Sequence, residues 1–231
     1  SSSSAASDVY KRQHRRWRYL SLWNFFMTGI ISSNPARTSG LIKAASSGGS
    51  AWTLIKTLTA SGDSTLSFVD GSADVILDST YPIYVFQFIS IHQSAEVAFN
   101  FNLSIDGGSN YNVAKTTTVM EQYQIEAGGT AWHSYATTRD LAQGTGGQRL
   151  SDQIGTDNDE TASGDLWLFN PSSTTFVKNF VARSETHRSY AWQLHIGGYG
   201  NTTSAVDSVQ FSMASGCLLY TSDAADEEDS V

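Results

Sequence analysis

Apolar side chains recur at every second position through much of the chain, and turn residues interrupt them about every eight to fourteen positions. In residues 97–105 the apolar members of this alternation are Val97, Phe99, Phe101, Leu103 and Ile105. A period of two is typical of a β-strand with one buried face. The Asp106-Gly107 pair that follows favours a hairpin turn. Residues 190–196 and 208–213 repeat the alternation.

Two further segments, residues 83–91 and 165–170, are apolar on both faces. Such strands lie in the centre of a sandwich or are covered on the outside by another subunit. Further strands are predicted at residues 52–59, 65–69, 112–120, 131–137 and 174–183. No segment has a sustained helical period. The pattern predicts an all-β protein, an antiparallel two-sheet sandwich of jelly-roll type.

The two ends of the chain differ from this middle. Residues 3–13 can be encoded by a DNA sequence whose reverse complement, read in another frame, encodes residues 217–226. The two ends can therefore come from one DNA element in opposite orientations. We therefore interpret residues 1–26 as adapter-derived and upstream translation, and residues 217–231 as an adapter-derived tail that replaces a native strand. A secretory signal over residues 15–31 is the alternative for the front. Met27 is the expected start, residues 27–50 an extended arm, and residues 51–216 the sandwich domain.

Charge, apolar run length and cysteine content argue against a nucleic-acid partner, a membrane helix and a disulfide. Between Met27 and Gly216 there are nine basic and sixteen acidic residues, a net charge of −7. An acidic surface repels phosphate, which argues against a nucleic-acid partner. No apolar run reaches the length of about 20 residues that a membrane helix requires. The single cysteine, Cys217, lies in the tail, so no disulfide is expected.

Candidate catalytic and metal-binding groups are scattered. Asp157 and Asp159 resemble the opening of a calcium loop, but the glycine and glutamate that such a loop needs are missing, so a solvated loop is the preferred interpretation. The histidines show no ligand spacing. Residues 141–150 are glycine-rich without a phosphate-binding lysine and are interpreted as a loop. We predict no catalytic residues, no metal and no cofactor.

The best binding candidate is the aromatic stretch 131–137. Trp132 and Tyr135 flank His133 near a glycine turn, an arrangement that can stack against a sugar ring. We predict Trp132, His133 and Tyr135 as a glycan-binding site. The interpretation we favour over this site is that Trp132, Ser134 and Ala136 share one face, with Trp132 packed in the core, while His133 and Tyr135 occupy the opposite face.

Residues 50–216 resemble a family of virion proteins of marine bacteriophages. The most specific stretches are "LFNPSSTTFVKNF" at 168–180 and "NTTSAVDSVQF" at 201–211. The resemblance implies a jelly-roll particle component, associated with tail, fibre or capsid, located in the virion and assembled in the cytoplasm of the bacterial host. It implies no catalytic residues. We expect a structural protein that self-associates, as a trimer, and contacts other virion proteins; a glycan-binding module of a tail fibre is the alternative.

Overall fold

The computed structural model describes residues 52–219, and this part of the chain is all-β. Eleven strands form two antiparallel sheets, which confirms the predicted sandwich. The strands are β1 Thr65–Val69, β2 Ile83–Gln93, β3 Val97–Ser104, β4 Lys115–Ile125, β5 Ala131–Tyr135, β6 Gln148–Ile154, β7 Ala162–Phe169, β8 Lys178–His187, β9 Tyr190–Gly200, β10 Ser208–Met213 and β11 Leu218–Leu219. Within these residues no helix is long and apolar enough to cross a membrane.

The strands divide unequally between the sheets. The smaller sheet has the order β1-β10-β3-β6, and the larger has the order β11-β2-β7-β8-β9-β4-β5. The chain splits into two compact units, of which Leu54–Val231 contains every strand. The predicted arm at residues 27–50, like the predicted non-native residues 1–26, lies outside the described residues.

The core fills the space between the two inner faces. From the smaller sheet Phe101 and Leu103 are fully buried, and from the larger sheet Phe180 is 1% exposed. The rings of Phe101 and Phe180 meet edge to face across the sandwich, with centroids 5.0 Å apart. The alternating positions predicted to point inward on β3, β9 and β10 do so, because period two places them on one face.

Three local predictions are wrong. Residues 148–150, interpreted as the end of a glycine-rich loop, begin β6, because Gln148 and Arg149 pair with β3. Residues 52–59 form no strand, although their side chains alternate, because alternation alone does not supply a neighbouring strand to pair with. The turn at Asp106-Gly107 exists, with Gly107 at φ 69°, but β3 and β4 lie in different sheets and do not form a hairpin. The other predicted spans, residues 65–69, 112–120, 131–137 and 174–183, overlap β1, β4, β5 and β8.

The first residues of the predicted tail enter the larger sheet. Leu218 and Leu219 pair with Gln93 and His92 at the end of β2. The Leu218 amide also donates to the carbonyl of Asp63 at 2.8 Å, and the Leu218 side chain is 1% exposed. Whatever the origin of the DNA, this short segment closes one edge of the core.

We expect Leu218→Ala to lower the free energy of unfolding by about 3 kcal/mol, because it removes a fully buried side chain and leaves a cavity. Leu54→Ala is the matched control: Leu54 is 82% exposed, so its loss should cost less than about 0.5 kcal/mol. Urea denaturation compares the unfolding midpoints of the two variants. Equal midpoints would show that residues 217–219 do not belong to the folded core.

Candidate functional site

One half of the outer face of the larger sheet is apolar. Residues paired in register share a face, so Val85, Trp167 and Val181 form a row across β2, β7 and β8. Ile83 and Phe169 pair in the next row. Val181 is 44% exposed and Ile83 38%, and the others are half-buried against one another. We call this set the apolar patch: Ile83, Val85, Trp167, Phe169, Val181 and Tyr199.

The other half of this face is polar. Glu185, Gln193, Gln122 and His133 are paired in register across β8, β9, β4 and β5 and form one row of hydrogen-bonding side chains. A second row lies two residues further along the strands, where Gln124 is flanked by Ala131 and Ala191. The small alanine side chains leave a shallow depression of about 440 Å³ between the rows. We call it the polar depression, defined by Gln122, Gln124, Ala131, His133, Glu185, Ala191 and Gln193.

The three residues of the predicted glycan site divide between two faces of β5. Trp132 is on the inner face, packed against Tyr123 with ring centroids 4.9 Å apart. His133 and Tyr135 are exposed on the outer face, and Tyr135 donates a hydrogen bond to Asp140 at 2.7 Å. His133 lines the polar depression. The three side chains therefore form no single stacking platform, and glycan binding by this set stays a prediction.

Trp132 belongs to an aromatic cluster on the inner face. Tyr123 stacks on Trp192 with centroids 4.8 Å apart and an interplanar angle of 18°. Tyr190 meets Trp192 edge to face at 5.2 Å. The guanidinium of Arg139 lies 4.6 Å from the centre of the Trp192 ring. All four aromatic side chains are partly exposed.

A charged network lies beside this cluster and joins the two sheets. Arg139 donates to Glu121 on β4, and its Nη2 lies 2.5 Å from Asp152 Oδ1 on β6. The hydroxyl of Tyr190 donates to Asp152 Oδ2 at 3.1 Å. Burial, together with the nearby Asp152 charge and this hydrogen bond, raises the pKa of Tyr190 to about 12. Each carboxylate of the network is thus already engaged by Arg139.

Two lysines lie buried on the inner face at the other end of the sheet. Lys115 and Lys178 both pair with Gly200 and are both 0% exposed. Lys115 Nζ donates to Asn102 Oδ1 at 2.5 Å and to the carbonyl of Val113 at 2.9 Å. No ion pair within residues 52–219 includes either lysine. Burial lowers the pKa of Lys115 to about 8 and also lowers the pKa of Lys178.

We expect wild-type protein to gain stability relative to Lys115→Met as the pH rises from about 8 to 10.5. In that window the unfolded chain holds a proton on Lys115 that the folded chain has released, so the free energy of unfolding increases with pH. Below this window the cost of burying the ammonium is fully present. Urea denaturation of both proteins at several pH values should show the difference between their free energies of unfolding change by about 3 kcal/mol across this window. Parallel pH profiles would contradict the assignment.

The acidic loop contacts two histidines through its backbone, but the loop carboxylates and the histidines of residues 52–219 do not form a group of metal ligands. Asp157 and Glu160 form a turn in which the Glu160 amide donates to the Asp157 carbonyl at 2.9 Å. His92 is buried, with Nδ1 2.9 Å from the Glu160 carbonyl. Among residues 52–219 no three His, Cys, Asp or Glu side chains are grouped as metal ligands. The absence of metal and cofactor stays a prediction.

Sequence reasoning missed both the charged network and the polar depression. Arg139, Glu121 and Asp152 come from a loop and two strands in different sheets, and only the packing of one sheet on the other brings them together. A signal for the depression does exist in the chain. Gln122 and Gln124 alternate on β4 with inward-facing residues, which indicates a polar outer face.

The class that the fold defines is an all-β protein with a two-sheet antiparallel sandwich. No family model, no curated protein and no solved structure matches the chain. The proposals that follow therefore depend on the geometry of the sandwich and on the sequence resemblance.

Proposed function

We propose that this protein is a structural component of a bacteriophage particle, located in the virion and acting by self-association rather than by catalysis. The observation that carries the proposal is the apolar patch on the larger sheet. Five of its six side chains are neighbours in register across β2, β7 and β8, the sixth, Tyr199, is paired with Asn179, and Val181 is 44% exposed. A contiguous exposed patch of this kind marks an interaction surface, because leaving it in water is costly.

A second copy of the chain is the occupant that we propose for the patch. In a ring-shaped homo-oligomer such as a trimer, one surface of each subunit packs against a complementary surface of the next, and homo-oligomer interfaces are more apolar than ordinary surface. The patch itself carries no charged side chain, and its border is an Arg183–Asp165 ion pair of 2.9 Å. The sequence resemblance favours a trimer, which would have three chains of 25.0 kDa, about 75 kDa in total.

Strand order supports a jelly roll as the finer description of the sandwich. If β8 and β9 are set aside as an inserted hairpin, the sheets read β1-β10-β3-β6 and β2-β7-β4-β5, with β11 at the edge. The eight remaining strands then pass between the sheets as in two Greek keys. The hairpin widens the larger sheet and extends its outer face, where the apolar patch lies. We propose this as the topology of the protein.

The charged network supports a role without catalysis. A glycoside hydrolase needs two free carboxylates across a cleft. Glu121 and Asp152 come from opposite sheets, but Arg139 contacts both of them. A carboxylate held in this way is a poor nucleophile or proton donor.

The genes that flank the coding sequence test the virion assignment. We expect portal, tube, fibre or other particle genes beside it. Flanking genes of a cellular pathway, repeated in independent sources of the sequence, would overturn the assignment to a phage particle.

Glycan recognition is the second candidate function, and one observation favours it: the polar depression next to His133. The depression lies on the polar half of the outer face, away from the apolar patch. Association and glycan binding can therefore coexist on one sheet.

A further inference from the structure

We propose that the polar depression binds a neutral oligosaccharide through Gln122, Gln193 and Glu185, with His133 at its edge. This inference rests on the second candidate function and is independent of self-association. Of the three residues predicted from the sequence, Trp132 and His133 line the depression, but the ring of Trp132 packs against Tyr123 on the inner face, and Tyr135 does not line it. Trp132 and Tyr135 do not belong to the proposed contact set.

The row of side chains supplies the hydrogen-bonding groups that a sugar requires. Each glutamine amide offers two N–H donors and an acceptor oxygen, and the glutamate offers acceptors. Sugar hydroxyls both donate and accept, so a mixed row suits them better than a row of one kind. Four adjacent strands about 4.8 Å apart spread these groups over roughly 14 Å, which is long enough for more than one sugar ring.

Contacts within the row hold it in place before any ligand arrives. Gln122 Nε2 donates to Gln193 Oε1, and His195 Nε2 lies 3.1 Å from the same oxygen. This arrangement leaves Gln122 Oε1 and Gln193 Nε2 as a further acceptor and donor for a ligand. A side chain that is already positioned loses less entropy when it binds.

The floor of the depression is formed by small side chains. Ala131 and Ala191 are both exposed, and they stand on either side of Gln124. Their methyl groups give a sugar ring an apolar surface without blocking its approach, as ligand sites commonly do.

Charge decides which glycans fit. No lysine or arginine lines the depression, and Glu185 is one of its walls. Glu185 is exposed, and partial desolvation raises the pKa of its carboxyl group. The whole chain has a net charge of −8. Sialylated, sulfated and phosphorylated glycans would meet repulsion here, so the proposed ligand class is neutral.

A printed array of neutral, sialylated and sulfated oligosaccharides, probed with the full chain, tests the proposal. We expect neutral glycans to be retained and anionic ones not. The best neutral oligosaccharide is then titrated by NMR against wild type, Gln193→Ala and Gln122→Ala. Each variant should bind at least about tenfold more weakly, a loss of about 1.4 kcal/mol.

Gln87→Ala is the matched control, since Gln87 is an exposed glutamine on the same outer face, paired with Asp165 on β7, and lies outside the depression. It should bind like wild type, and the melting temperatures of all variants should agree. The proposal is overturned if no neutral glycan binds at millimolar concentration, if anionic glycans bind equally well, or if Gln193→Ala binds like wild type. Light scattering reports self-association separately, so a failure here leaves that proposal intact.

Discussion

Arg139→Met is expected to lower the free energy of unfolding by about 4 kcal/mol, because it removes the ion-pair partner of the buried Glu121 and leaves the buried Asp152 only the longer contact with Arg149, at 3.9 Å. The side chains of Glu121 and Asp152 are only 10% and 7% exposed, and both contact the Arg139 guanidinium. The substitution also removes the cation that lies 4.6 Å over the Trp192 ring. Methionine fills part of the volume but carries no charge.

Arg183→Met is the matched control for this prediction. Arg183 makes an ion pair of 2.9 Å with Asp165, but its side chain is 65% exposed. Exposed ion pairs contribute less than about 1 kcal/mol, so the same substitution should have little effect there. Urea denaturation compares the two variants. Similar losses at Arg139 and Arg183 would show that the network is not part of the buried structure.

Val181→Glu is expected to convert the proposed oligomer into a monomer without loss of stability. Val181 lies between Trp167 and Gly197 in the apolar patch and is 44% exposed. In a self-associated state its side chain would be covered, and a carboxylate buried there without a partner costs several kcal/mol per subunit. In the monomer the same carboxylate is solvated and costs little.

Met120→Glu provides the control for the patch. Met120 is 45% exposed on the outer face of the same sheet, but it lies in the polar half, paired with His195 and Tyr135. It should leave the oligomer intact. Sedimentation velocity of both variants at the same concentration makes the comparison. If both variants dissociate, or neither does, the apolar patch is not the interface.

Side-chain alternation predicted much of the fold. It placed Phe99, Phe101 and Leu103 inward on β3 and indicated the apolar outer positions of β2, because successive side chains of a strand point to opposite faces. It could not predict β6. There Leu150, Ser151 and Asp152 are buried in succession and follow a glycine-rich stretch, so the segment resembles a loop in sequence.

Pairing between distant strands was beyond sequence reasoning. β1 pairs with β10, and residues 65 and 212 are neighbours although the chain between them crosses both sheets. The polar depression depends on the same long-range register, since Glu185, Gln193 and Gln122 come from three strands. Alternation did predict the faces of the aromatic stretch. It placed Trp132 on one face of β5 and His133 and Tyr135 on the other, as the structure has them.

The mass of the unaltered full chain, measured by light scattering coupled to size exclusion at tens of micromolar, tests self-association most directly. A single chain has a mass of 25.0 kDa. The apolar patch predicts a higher mass, about 75 kDa for the proposed trimer. A monodisperse species at the mass of one chain would contradict self-association, and with it the structural role proposed for this protein.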